Sequence, residues 1–147
     1  MIGFYIFYNL VYAALSYPIG IAADRIGLKT MLISGLVIFS GVYFFFGFAA
    51  STVAFGLLFL FYGIYAASTE GISKALISNL AAKSDTATAI GFYNSFASVF
   101  TLLASSLAGI LWYSIGPKAM FMISGIGVLF VSVYLVVVFY FTTDYTD

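Results

Sequence analysis

The most constraining feature of this sequence is its shortage of charge, which leaves five long apolar stretches between short polar segments. Only 7% of its 147 residues are charged and 64% are hydrophobic, and its mean hydropathy is +1.16. A soluble domain carries about 25% charged residues, whereas a helix needs about 20 apolar residues to cross a bilayer. The pattern predicts an all-α, polytopic membrane helix bundle with about five transmembrane helices, at residues 2–23, 30–49, 53–82, 87–115 and 119–141.

Composition also excludes several classes of function. The chain has no cysteine and no histidine, so it offers neither a disulfide framework nor the commonest metal ligand and proton shuttle. Its net charge is zero, which argues against binding to nucleic acid. We therefore expect no enzymatic activity, no catalytic residue, no metal site and no cofactor, and we expect the lipid bilayer as the main surrounding partner.

The segment between the first two apolar stretches, residues 18–29, holds three of the ten charges in the chain. Its motif consists of Gly20, Asp24, Arg25, Gly27 and Lys29. Glycines permit a sharp turn at a membrane face, a carboxylate can accept hydrogen bonds from a nearby helix N-terminus, and basic side chains hold a loop in the cytoplasm. The segment therefore predicts a tight polar hairpin between two membrane-spanning helices.

This motif resembles the short cytoplasmic loop motif that the major facilitator superfamily of secondary transporters carries once in each half. Thr30 stands where the family form usually has a second basic residue. Residues 69–75 (TEGISKA) are similar to the family's tenth helix. Residues 88–93 (TAIGFY) are similar to the start of the eleventh, and residues 108–112 (AGILW), followed by 115–117 (IGP), to its end. The resemblance implies a partial fold of this family, covering helices eight to twelve of twelve.

The resemblance implies a function in the transport of a small solute, as part of a secondary transporter. It also implies that the chain is a truncated or split C-terminal half, because the N-terminal half and the seventh helix have no counterpart here. Since substrate lies between the two halves, we expect this chain alone not to transport. Its partner would be the missing half or another membrane polypeptide. The alternative is a small five-helix interaction subunit without transport activity of its own.

Polar side chains recur on two of the predicted helices and mark a candidate substrate cavity. On the first helix they share one face by their three- and four-residue spacing; on the fourth they lie near its start. The candidates are Tyr5, Tyr8, Asn9, Tyr12, Tyr93 and Asn94. The alternative is structural: interfacial tyrosines and helix-to-helix hydrogen bonds on the first helix, and hydroxyls bonded to their own backbone on the fourth.

The third predicted helix combines small residues with two charges. Its small residues lie four apart, which lets another backbone approach closely, so this helix should be buried; they are Gly63, Ala67, Gly71 and Ala75. Glu70 and Lys74 are also four apart, which suits an ion pair. In the resembled family such an acid commonly pairs with the basic loop motif and latches the cytoplasmic side. By contrast, the second and fifth helices are uncharged and are expected to be peripheral.

Orientation follows from the basic residues of the loops. Arg25, Lys29 and Lys83 share one side of the membrane, and only Lys118 lies on the other. Because cytoplasmic loops carry the excess of lysine and arginine, we expect a multi-pass protein of the cell (inner) membrane with its N-terminus outside and its C-terminus in the cytoplasm.

Overall fold

The computed structural model describes residues 2–143, and the side chains of all of these except 140, 142 and 143. Its helices are α1 (Ile2–Ile26), α2 (Leu28–Phe46), α3 (Thr52–Leu80), α4 (Thr86–Ile115) and α5 (Pro117–Thr143). Each is long and apolar enough to cross a membrane, which confirms the predicted all-α membrane bundle. The observed helix ends differ from the predicted ones by up to three residues.

The junctions between helices are unusually short in two places. A single residue, Gly27, separates α1 from α2, and a single residue, Gly116, separates α4 from α5. Both have positive φ angles, 95° and 90°, in a region that side chains with a Cβ atom rarely adopt. The α2–α3 connection is longer and ends at Ser51, whose hydroxyl accepts a hydrogen bond from the Ala54 N–H at 3.1 Å, a typical helix N-cap.

Helix α3 lies at the centre of the bundle and packs against α1, α2 and α4. More of its residues are buried than in any other helix of the described chain. They are Gly63, Ala66, Ala67, Ser68, Thr69 and Ile72. The prediction that the third helix is buried is therefore confirmed.

Helix α2 is not peripheral, and that expectation is wrong. It packs along α3 on one side and along α5 on the other, with Met31, Gly35, Ser40 and Val42 buried. The Ser40 hydroxyl donates a buried hydrogen bond of 2.7 Å to the Gly125 carbonyl of α5. Small residues on this helix decide its contacts, whereas its run of phenylalanines, of which Phe44 and Phe45 are exposed, made the sequence look suited to lipid.

Three glycines stand where helices come closest. A Cβ atom on Gly63 would lie 2.7 and 2.9 Å from Val11 of α1, and one on Gly35 would lie 2.7 Å from Thr69 of α3. At Gly125 of α5, a Cβ atom would lie 3.0 Å from the Ser40 carbonyl oxygen. Each helix crossing therefore depends on the absence of a side chain at one position, which is how helices associate in lipid.

Aromatic rings fill the space around these crossings. The Tyr62 ring of α3 lies 5.1 Å from Tyr8 of α1, and 6.2 and 6.5 Å from Phe39 and Tyr43 of α2. Tyr43 in turn lies 5.6 Å from Phe121 of α5. Such centroid distances are typical of favourable aromatic pairs, so one connected set of rings links four helices.

Helix α4 differs from the others because none of its residues is buried in the described chain. It touches α3 and α5, and within residues 2–143 it has no contact with α1 or α2. Its own stripe of small residues, Ala97, Thr101, Ser105 and Gly109, is left largely open. The bundle therefore has one well-packed part, α1, α2, α3 and α5, and one loosely attached helix.

Gly63→Ala should destabilise the bundle, because the new methyl group would overlap the branched Val11 side chain and force α1 away from α3. Overpacking of this kind costs about 1–3 kcal/mol. The measurement is the free energy of unfolding in detergent micelles, followed by circular dichroism. Gly71→Ala on the same helix is the control, since a Cβ atom there has no neighbour within 4 Å. Equal stability of both variants would contradict the close approach.

Gly27→Ala should also destabilise the protein, because its φ of 95° strains any residue with a Cβ atom by about 1–3 kcal/mol. Gly20→Ala should be neutral or stabilising, by up to about 1 kcal/mol, because Gly20 is helical with open space around it. The same unfolding measurement compares the two. A larger loss from Gly20→Ala would show that the junction is elsewhere.

Candidate functional site

The polar face of α1 forms a ladder of tyrosine rings. The centroids of Tyr5 and Tyr8 are 6.0 Å apart, and those of Tyr8 and Tyr12 are 6.4 Å apart in a stacked arrangement. The Asn9 side-chain amide donates a 2.8 Å hydrogen bond to the Tyr5 carbonyl, and the Ser16 hydroxyl donates one of 2.6 Å to the Tyr12 carbonyl. The polar donors between the rings are therefore satisfied within α1, and the tyrosines face outward from it.

Helix α3 contributes two further groups to this face. Tyr8 packs against the Tyr62 ring, and the Glu70 carboxylate lies near the phenols of Tyr8 and Tyr12. Glu70 lies about 6 Å from the midpoint of α3, and Tyr12 about 3 Å from that of α1, at 1.5 Å per residue. The acid is therefore nearer the middle of its helix than its end, because α3 continues to Leu80.

A cavity of about 230 Å³ lies between α1 and α3. It is lined by Tyr12, Ser16, Gly20, Ala23, Asp24, Leu28, Ala67, Gly71, Ile72 and Ala75. It starts beside Tyr12 at mid-depth and continues to Asp24 near the end of α1. The lower half of the α3 small-residue stripe thus borders open space, while its upper half, at Gly63, makes the close contact.

The predicted ion pair between Glu70 and Lys74 is not formed. Among the charged side chains of residues 2–143 no ion pair is present. Glu70 instead lies near the tyrosines of α1, and Lys74 is exposed one turn further along. A four-residue spacing places two charges on one side of a helix, but it does not by itself bring the two side chains into contact. The role of either residue in a cytoplasmic latch stays a prediction.

The loop motif is mostly helical, which corrects the predicted polar hairpin. Helix α1 continues through Gly20, Asp24 and Arg25 to Ile26, so only Gly27 leaves the helical conformation. Asp24 does not cap α2, whose N-cap has no side-chain hydrogen bond. The Lys29 ammonium instead lies 5.0 Å from the centroid of the Phe139 ring, a cation–π distance that joins the junction to α5.

Tyr93 and Asn94 are exposed on α4, which lies against α3 and does not touch α1 in the described chain. The two sets of cavity candidates therefore lie on helices that both contact α3 but do not contact each other in the described chain. Five hydroxyls within α4 donate to carbonyls four residues back, as the structural alternative describes, and the cavity role of Tyr93 and Asn94 stays a prediction. The five hydroxyls are those of Ser95, Ser98, Thr101, Ser106 and Ser114.

Two aromatic residues of this region were missed in the sequence. Tyr62 and Tyr65 of α3 pack together, with centroids 5.4 Å apart, and Tyr62 supports the ladder from behind. Together with Phe55 and Phe59 they recur at steps of three and four residues, and this helical spacing is the signal that could have found them. In the described chain no three histidine, cysteine, aspartate or glutamate residues come together as a metal site.

Comparison with known proteins agrees with this architecture. The family model described as the Major Facilitator Superfamily matches residues 1–147. An uncharacterized MFS-type transporter of Methanocaldococcus jannaschii is 37% identical over 137 residues, which cover 88% of this chain and 34% of that protein. The chain thus spans about a third of the length of this relative. With a match over its whole length and five helices able to cross a membrane, the chain belongs to the major facilitator superfamily.

Proposed function

We propose that this chain is part of a transporter for a small solute, and that the tyrosine face of α1 together with α3 lines the aqueous path. Two facts support the proposal: the family is one of membrane transporters, and the relative is described as an MFS-type transporter. We propose no enzymatic role. The cavity candidates of α1 and those of α4 would contribute two edges of one path, on either side of α3.

One observation carries this proposal: the face formed by α1 and α3 has an exposed carboxylate, Glu70, about 6 Å from the midpoint of its helix. The phenols of the same face are partly open, with Tyr5 65% exposed and Tyr8 and Tyr12 half-buried. A charged side chain facing lipid at that depth is costly, and such residues usually face a water-filled cavity or another part of the protein. The face formed by α1 and α3 is therefore suited to water and solute, and poorly suited to acyl chains.

We further propose that the chain works together with other membrane helices and does not transport alone. Its partner would be the N-terminal half of the family fold or another membrane polypeptide. The unburied helix α4 supports this, because a helix with no buried residue has little to hold it in place. The protein would lie in the inner membrane, with the N-terminus of the chain outside and its C-terminus inside.

The chain contains no cysteine, so single-cysteine variants can report on water access without background. Tyr8→Cys should react quickly with a membrane-impermeant methanethiosulfonate reagent in native membrane vesicles. Leu10→Cys should react at least tenfold more slowly, because two residues along a helix turn the side chain by about 200°. Leu10 is 67% exposed whereas Tyr8 is half-buried, and the two lie at nearly the same depth, so slower labelling of Leu10→Cys could not be due to burial within the protein.

If both variants stay unreactive until the membrane is dissolved, the tyrosine face of α1 is not in contact with water and the transport path does not run along it.

That result would favour the second candidate function, an interaction subunit. One observation supports this alternative: the small-residue stripe of α4 is left open and could receive another helix. Co-purification of a second membrane polypeptide, lost on Gly109→Leu in α4 and kept on Gly41→Leu in α2, would then identify the docking helix.

Orientation can be tested with the same reagents. Lys118→Cys should be labelled in intact cells, whereas Lys83→Cys should be labelled only after the cytoplasmic side is opened. The reason is that the loops on the Lys83 side hold three basic residues, Lys83 included, and the loops on the other side hold one. The reverse labelling pattern would place the N-terminus in the cytoplasm.

A further inference from the structure

An open groove of about 460 Å³ runs between α2 and α3, and every residue that lines it is apolar. Three of the lining side chains, Phe45, Leu57 and Phe61, are about half exposed. No side chain fills the groove at Gly41, where a Cβ atom would have no neighbour within 4 Å. Its volume is within the usual range of ligand cavities, about 300–1,000 Å³, and its walls suit a flexible hydrocarbon chain.

The groove has the length of one leaflet of a bilayer. Along α2 it extends from Ile38 to Phe48, which is about 15 Å at the helical rise of 1.5 Å per residue. The hydrocarbon core of a bilayer is about 30 Å thick, so one leaflet contributes about 15 Å. The groove ends at Ala49 and Ala54, beside the connection between the two helices. It therefore runs from the membrane surface towards the mid-plane, as an acyl chain does.

A lysine stands at the surface end of this groove. The Lys118 ammonium lies 4.3 Å from the centroid of the Phe48 ring, and Phe48 is part of the groove wall. The start of α5 packs closely on the end of α2 here, because a Cβ atom on Gly47 would lie 3.3 Å from the Lys118 carbonyl oxygen and 3.6 Å from its Cγ atom. The cation thus lies next to the groove and not inside it. A phospholipid has the same order of groups, because its phosphate lies outside the hydrocarbon that its chains occupy.

The charge beside this end of the groove is positive. Residues 45–55 and 112–121 form the two connections on this side of the bundle and the helix turns next to them, and they contain one charged residue, Lys118. Basic side chains near a membrane surface attract anionic lipids. The surface end of the groove is therefore complementary to a headgroup with net negative charge.

We propose that the groove between α2 and α3 binds an anionic phospholipid, with one acyl chain in the groove and the phosphate beside the Lys118 ammonium. Phe48 contacts both parts of the lipid, because its ring lies under the ammonium and also forms part of the groove wall. The lipid belongs to the leaflet on the side of the α2–α3 and α4–α5 connections. This inference does not depend on the proposed transport path, since the groove shares no residue with the tyrosine face of α1.

The test uses tryptophan fluorescence of the full chain, in which Trp112 is the single tryptophan. In a Trp112→Phe background, Leu57→Trp places an indole in the groove wall and Ile110→Trp places one on α4. The two positions are 55% and 63% exposed. Each lies five residues from the end of its helix on the same side of the membrane, so the two indoles have matched depths. Each variant is placed in nanodiscs of phosphatidylcholine and phosphatidylglycerol, and one of the two lipids is brominated in mid-chain to quench a neighbouring indole.

Quenching of Leu57→Trp should show that phosphatidylglycerol binds about fivefold more strongly than phosphatidylcholine, which is the effect of one basic residue near the membrane surface. Ile110→Trp should show no preference between the two lipids. Lys118→Gln should remove the preference at Leu57→Trp. Lys29→Gln is the matched control and should leave it unchanged, because Lys29 makes the same kind of contact with Phe139, at 5.0 Å, at the opposite end of α2.

Three results would overturn the proposal. The first is an equal preference at Leu57→Trp and Ile110→Trp, as unspecific attraction of lipid to the protein would give. The second is a preference at Leu57→Trp that survives Lys118→Gln. The third is the absence of quenching at Leu57→Trp by either brominated lipid, which would show that protein, such as a second copy of the chain, covers the groove.

A separate variant tests the groove without changing the charge. Ala54→Leu extends a lining side chain into the surface end of the groove and keeps the lysine, so it should reduce the preference for phosphatidylglycerol. An unchanged preference would show that no acyl chain lies there and would also contradict the site. Should Leu57→Trp fail to fold, Phe61→Trp in the same groove replaces it, with Leu107→Trp on α4 as its control.

Discussion

Close backbone contact at glycine is the interaction on which this bundle depends. Within hydrocarbon, helices gain little by hiding apolar surface from one another, so they associate through van der Waals packing and hydrogen bonds at small residues. Gly63, Gly35 and Gly125 each mark one such crossing, and the Ser40 hydroxyl adds a hydrogen bond at the third. The Gly35 contact holds α2 against α3, and the Gly63 contact holds α1 against α3. The second contact places the tyrosines of α1 near the acid of α3.

The number and approximate limits of the helices could be predicted because length and hydropathy decide them, whatever the helices pack against. The third helix was recognised as buried from its glycine spacing. Helix α2 was misread because Gly35 and Ser40, the residues that decide its contacts, are few among many phenylalanines. The end of α1 was predicted three residues too early, at residue 23, because Asp24 and Arg25 look like loop residues. Charged residues are nevertheless well tolerated in the last turn of a helix at the membrane surface.

The candidate site could likewise be predicted only in part. The tyrosine face of α1 follows from helical spacing alone, so the sequence could indicate it. The partner of Glu70 depends on which helix lies beside α3 and in what register, and no local pattern contains that information. A spacing of four suggested Lys74, yet the tertiary arrangement places the phenols of Tyr8 and Tyr12 near the carboxylate. Tyr62 has the spacing of an aromatic stripe, but its role in packing against Tyr8 depends on the α1–α3 contact and could not be predicted from the sequence.

The hydroxyls of α4 have a consequence for how a larger assembly could form. Each bonded serine and threonine on this helix donates to a carbonyl of α4 itself. Separating α4 from a neighbouring helix would therefore break none of these hydrogen bonds. These bonded hydroxyls therefore cost little where α4 lies beside lipid. A neighbour that packs against them would be held by fit of shape and not by the rescue of unsatisfied hydroxyls.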